Sequence, residues 1–176
     1  MDWADVLDIL KYTLPSLITF LTAYVILKLF LSGEKERKEL EVRASFYKDS
    51  LPVRLGAYER LTLFLERIAP TNLLQRVNKP GMTAVDLQRA LISNIRMEFE
   101  HNLSQQIYVT AETWMMIVQV KEEIVGIVNK VASDVPQTAS GKDLSRAIIE
   151  YFITSEQVMP TQKALDTLKV EVKKIY

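Results

Sequence analysis

Glu98-Phe-Glu-His101 is the segment of this chain whose residue types and spacing come closest to chemistry. A carboxylate three residues before an imidazole places both on one face of a helix. Ferritin-like di-iron bundles use that spacing, but they need two such motifs and two further glutamates. His101 is the single histidine of the chain, so a second motif would have to come from a second copy. A metal or catalytic role for Glu98 and His101 is therefore the alternative reading. A hydrogen-bonded structural or interface role needs fewer assumptions.

The same stretch turns polar where a helix should stay apolar. Leu87, Leu91, Ile95 and Phe99 make one stripe, and at about 100° per residue Asn102 and Gln106 fall within about 40° of its middle. Glu98, His101 and Gln105 line its flank. Buried polar groups require partners, so this seam should meet another helix, water, an ion or another protein. Lys121 has the matching position on the following helix, among Trp114, Ile117, Val118, Val125 and Val128. It should snorkel or find a carboxylate, and antiparallel pairing makes Glu98 its candidate partner. A lysine with a lowered pKa would be a base or nucleophile, yet an ion pair explains it more simply. Glycine-rich phosphate loops, clustered metal ligands, nucleophile elbows and basic-aromatic interleaving are all lacking. No catalytic residue, metal, cofactor or nucleic-acid partner is assigned.

These residues must be positioned by helices. The 176 residues contain 48% hydrophobic residues, five Gly, six Pro and no Cys, with a formal net charge of zero. That balance gives no global field for nucleic acid, and without thiols there is no disulfide framework and no thiolate chemistry. No stretch alternates with period two between hairpin turns. The expected fold is all-α.

Tyr12 to Leu31 reads YTLPSLITFLTAYVILKLFL, about the length a helix needs to cross the ~30 Å core of a bilayer. Lys28 is its only charge. The alternative, a core helix of a soluble protein, is rarely this long and continuous. The chain starts with Asp2, Asp5 and Asp8 rather than a basic segment, and no small-residue cleavage site follows, so the span reads as an uncleaved anchor. Lys11 precedes it, whereas Lys28, Lys35, Arg37, Lys38, Arg43 and Lys48 lie at or after its other end. By the positive-inside rule the N-terminus is outside and the remainder cytoplasmic. Trp3 and Tyr12 suit the outer interface, and Lys28 snorkels to the inner one.

The segments expected are 1–32 for the N-terminal segment and anchor, 33–49 for a charged helical stalk, and 50–176 for a bundle of about five helices. Glu34 to Arg43 holds four acids and four bases, which excludes a polybasic lipid-binding tract. Its apolar seam, Leu40 and Tyr47 with Arg43 between, is sparse for a coiled coil. Ser50-Leu51-Pro52 reads as a break, with Ser50 an N-cap. Leu55, Tyr58, Leu61, Leu65 and Ile68 then form a stripe ended by Ala69-Pro70, and a short helix should cover Leu73 to Val77. Asn78-Lys79-Pro80-Gly81 is the clearest turn. Thr83, with Asp86 as its N3 partner, opens a helix expected to run to about Ile107. Thr110 caps the next, to about Ser133. Ser140 and Asp143 open another through Leu144, Ile148, Tyr151 and Phe152, and Pro160-Thr161 begins the last. No internal repeat is read.

LPVRLGAYERLTLFLERI (Leu51 to Ile68), the Pro80-Gly81-Met82-Thr83 turn with its helix, and EFEHNLSQQIYV (Glu98 to Val109) resemble an uncharacterised family of small bacterial membrane proteins. That family is a domain of unknown function with one N-terminal span. The resemblance implies the architecture and a bacterial inner-membrane setting, and it transfers no catalytic residue. Taken together, the residues point to a non-enzymatic, membrane-tethered module that docks a protein partner, forms a homo-oligomer or serves as an accessory subunit. The alternatives are a membrane-bound metal-dependent enzyme using Glu98 and His101, and a stalk that oligomerises through Glu34 to Lys48.

Overall fold

Helix α1, Trp3–Ile68, opens a computed structural model that describes residues 3–155 and 158–175. It is followed by α2 (Pro70–Val77), α3 (Ala84–His101), a 3₁₀ turn (Leu103–Ile107), α4 (Ala111–Asp134), α5 (Gly141–Thr154) and α6 (Pro160–Lys173). No strand occurs among the described residues; one isolated bridge does, between Thr83 and Ser140. The chain is all-α, and it divides into two compact units, Met1–Ser50 and Leu51–Tyr176.

In the first unit, α1 holds the one described stretch long and apolar enough to cross a membrane. Its most apolar window has mean hydropathy 1.9, and none of that window is buried inside the chain. Phe20, Ile26 and Phe30 are 69%, 62% and 64% exposed, so no described residue of this unit packs over them. The hydroxyls along the run need no water. Ser16 donates to the Thr13 carbonyl at 2.7 Å, Thr19 to Pro15 at 2.9 Å, and Thr22 to Ile18 at 2.8 Å. Hydroxyls closed onto their own helix are compatible with an apolar medium. Trp3 and Tyr12 are exposed.

Helix α1 does not break at Ser50-Leu51-Pro52. It continues through Pro52 to Ile68, and Ser50 donates its hydroxyl back to the Tyr47 carbonyl at 3.2 Å instead of capping a new helix. Pro52 removes one backbone donor, leaving the Lys48 carbonyl without its i+4 partner. Residues 48 and 49 are exposed, so that carbonyl is open to water and the helix tolerates the proline.

The core of the second unit follows from the apolar stripes. Leu61, Phe64, Leu65 and Ile68 of α1 meet Leu73 of α2, Leu87, Leu91 and Ile95 of α3, Ile117 and Ile124 of α4, Leu144 and Ile148 of α5, and Leu168 of α6. All are at most 1% exposed. Burying each such side chain contributes about 1.5–3 kcal/mol. Helix α4 packs against α3, α5 and α6, which uses its broad apolar surface.

Helices α3 and α5 begin alike. Thr83-x-x-Asp86-Leu87-x-Arg89-Ala90-Leu91-Ile92 is matched by Ser140-x-x-Asp143-Leu144-x-Arg146-Ala147-Ile148-Ile149. Each start is a closed capping box. The Ala84 N–H donates to the Ala139 carbonyl at 2.9 Å and the Gly141 N–H to Met82 at 2.8 Å, so the two starts lie antiparallel about a local two-fold. Gly141 sits in a close approach, since a Cβ there would stand 3.2 Å from the Met82 carbonyl oxygen and from Asn78 Oδ1, and those neighbours would have to give by a few tenths of an ångström. The likeness is confined to these ten residues and to their shared capping geometry.

Candidate functional site

The end of α3 decides what becomes of the polar seam. The helix stops at His101 rather than near Ile107, because Asn102 diverts the backbone. Its N–H donates to the Phe99 carbonyl at 2.9 Å, and its side-chain amide donates to the Glu98 carbonyl at 2.7 Å. An asparagine that competes for helix carbonyls favours termination, and the chain tightens into the 3₁₀ turn. Helical projection beyond 101 therefore fails. Asn102 is half-buried, Gln105 is buried and donates to Ser104 Oγ at 3.0 Å, and Gln106 and His101 are exposed.

Glu98 is the largely covered charge of the seam, with a side chain 12% exposed. Its Oε1 receives Arg67 Nε from the last turn of α1 at 3.1 Å and Arg76 Nη1 from α2 at 2.7 Å. Arg76 Nη2 also donates to the Arg67 carbonyl at 3.2 Å, one of the carbonyls a helix C-terminus leaves open. One carboxylate thus fastens α3 to both helices of the α1–α2 corner.

Lys121 does not pair with Glu98. Its ammonium sits 4.5 Å from the centroid of the Phe99 ring and forms an ion pair with Glu122. Phe99 stacks on Trp114 at 5.4 Å and meets Phe64 at 6.0 Å. A ring face attracts a cation and is itself apolar, which explains how a lysine occupies the middle of an apolar stripe. Of Glu98, His101, Asn102, Gln105, Gln106 and Lys121, the structure joins Glu98 to Asn102, while Gln105 and Lys121 are engaged elsewhere and His101 and Gln106 are exposed. Among the described residues no three His, Cys, Asp or Glu side chains are grouped to hold a metal ion.

A second buried polar cluster has no counterpart in the sequence reading. Tyr58 of α1 donates its hydroxyl to Glu171 Oε1 at 2.9 Å, and Thr113 of α4 donates to Glu171 Oε2. Tyr58 and Thr113 are each 3% exposed. Burial raises the Tyr58 phenol above its usual range, the Glu171 carboxylate adds to that, and Arg54 opposes it. The cluster ties α1, α4 and α6 together. In the sequence Tyr58 stands out only as part of an apolar stripe, and nothing there singles out Glu171. Every fully buried side-chain nitrogen or oxygen among the described residues has a partner.

Two concavities lie in this unit. One of about 500 Å³ surrounds the paired starts of α3 and α5, beside Lys79 and Lys142. The positive ends of both helices are already met by the carboxylates of Asp86 and Asp143. The hydroxyl and N–H groups of Thr83 and Ser140 hold those carboxyls below their usual range. The other, about 680 Å³, is an apolar groove between Leu55–Leu63 of α1 and Leu168–Lys173 of α6.

No curated protein and no solved structure matches this chain. A family model matches it over residues 4–175, the long apolar helix and the bundle together. The chain therefore belongs to a family of unknown function, DUF7935.

Proposed function

We propose that this protein is a non-enzymatic, membrane-tethered interaction module, acting as a docking platform or accessory subunit of a membrane assembly. What carries the reading is how its polar groups are used. Glu98, Glu171, Asp86 and Asp143 each serve to fasten helices or cap them. The apolar surface the chain leaves uncovered lies on the Tyr12–Leu31 stretch, on the α1–α6 groove, and at side chains such as Ile107, Met115 and Ile153. A catalytic cleft needs polar groups that converge on a cavity with capacity to spare; here those groups are consumed by the fold.

Tyr12–Leu31 crosses the bilayer, with Trp3 and Tyr12 at the outer interface and Lys28 at the inner one. The charge asymmetry, one basic residue before the span and six at or after its end, supports a cytoplasmic bundle and an N-terminus outside. The resemblance to bacterial single-span proteins supports the inner membrane. Partners are the bilayer and another protein chain. Affinity isolation of the full chain from native membranes in mild detergent tests the reading. A reproducible protein partner, including a second copy, supports it; a chain that always elutes alone contradicts it.

A further inference from the structure

We infer that the α1–α6 groove is the surface on which a second copy of this chain docks, about a two-fold axis parallel to the Leu55–Leu63 stretch. The inference rests on the interaction reading and names its first partner. The groove's floor is apolar, and its rims carry opposite charge: Glu59 on α1, next to Tyr58, and Lys169 and Lys173 on α6, either side of the Glu171 to which Tyr58 is hydrogen-bonded. Leu63, on the α1 rim, is 61% exposed.

A two-fold parallel to α1 exchanges the rims and preserves height. Glu59 of one copy then faces Lys169 and Lys173 of the other, and each Leu63 enters the neighbouring groove against Leu168 and Val172. A patch of one sign would repel its own copy, whereas a patch split between two signs is complementary to itself under this operation, as an isologous interface requires. Lys169 is held meanwhile by Asp166 at 3.2 Å, with both side chains more than half exposed. Such surface pairs are worth little, so the lysine is available for exchange. Confinement to one membrane raises the effective concentration of copies, which favours a groove-sized contact.

The chain contains no cysteine, so single cysteines report directly. A Leu63→Cys chain with one tag and a Val172→Cys chain with a second are co-expressed, and their membranes are oxidised. A disulfide joining the two tags is the expected result, since each chain alone has only one thiol. Adding Glu59→Lys to the first chain should cut the yield about tenfold, and Lys169→Glu with Lys173→Glu on the second should restore it. Thermal melts of each variant confirm that these exposed substitutions leave the fold intact. Failure to join the tags, or equal joining from Ile153→Cys outside the groove, overturns the inference. A monomer that brings down a different protein also overturns it while sparing the interaction reading, whereas one that holds only lipid along the groove overturns both. A monomer that elutes alone overturns both.

Discussion

Arg76 Nη1 lies 2.7 Å from Glu98 Oε1, across the corner where α1 gives way to α2. The same guanidinium donates to the Arg67 carbonyl, and Arg67 in turn reaches Glu98. The residue that looked most like half of a metal site is thus the fastening of three helices.

Removing that carboxylate should cost stability. Glu98→Ala leaves two guanidiniums facing each other without an anion and is expected to destabilise the bundle by about 1–3 kcal/mol. Arg76→Ala should cost less, since Arg67 still reaches the carboxylate. The double variant should cost less than the sum of the two, because both remove one shared contact. Denaturant melts of the four proteins measure this.

Tyr58 gives a signature at high pH. Its phenol is raised above the usual value near 10, so the fold favours the protonated form. That contribution is complete below the unfolded-state pKa and is lost as pH rises through the raised one. Stability should fall at alkaline pH, and Tyr58→Phe should flatten that part of the profile. The measurement is the difference in melting temperature between wild type and variant across the alkaline range.

Asp86 and Asp143 act at the other end of the scale. Both carboxyls are lowered by the hydroxyl and N–H groups of Thr83 and Ser140, so the fold favours their charged forms. Their contribution is present above the unfolded-state value and is lost as pH falls through the lowered one. Asp86→Asn and Asp143→Asn should each reduce the acid sensitivity of the melt. Thr83→Ala and Ser140→Ala should cost similar amounts, about 1 kcal/mol each, because the two starts are copies.

The all-α fold, the long apolar N-terminal helix and the caps at Thr83, Thr110 and Ser140 were legible in the sequence, because periodicity and capping are local. What was not legible depends on groups far apart in the chain or on small energetic balances. Helix α1 runs through Pro52 because the carbonyl the proline orphans faces water. Helix α3 ends at His101 because one asparagine captures its carbonyls, which removes Gln106 from the stripe. Glu98 finds Arg67 and Arg76 rather than Lys121, and Glu171 finds Tyr58 and Thr113. Helical spacing places a residue on a face but does not name which residue of another helix it meets.

Lys121 should be replaceable. Its ammonium lies over Phe99, an interaction worth about 0.5–1 kcal/mol where solvent reaches it, and a thioether packs on the same ring. Lys121→Met is expected to fold with a change in stability below about 1 kcal/mol. Lys121→Glu would set an anion against the ring face and should destabilise clearly more. Thermal melts of the pair decide it.

The central claim is a membrane-held chain that works by binding protein. Its most direct test is the mass of the species that contains the chain after native membranes are washed in alkaline carbonate and extracted in mild detergent. The account predicts that the chain stays in the washed membrane and elutes in an assembly larger than one 20.2 kDa chain with its micelle. Release into the carbonate wash, or elution as a lone monomer, would contradict it.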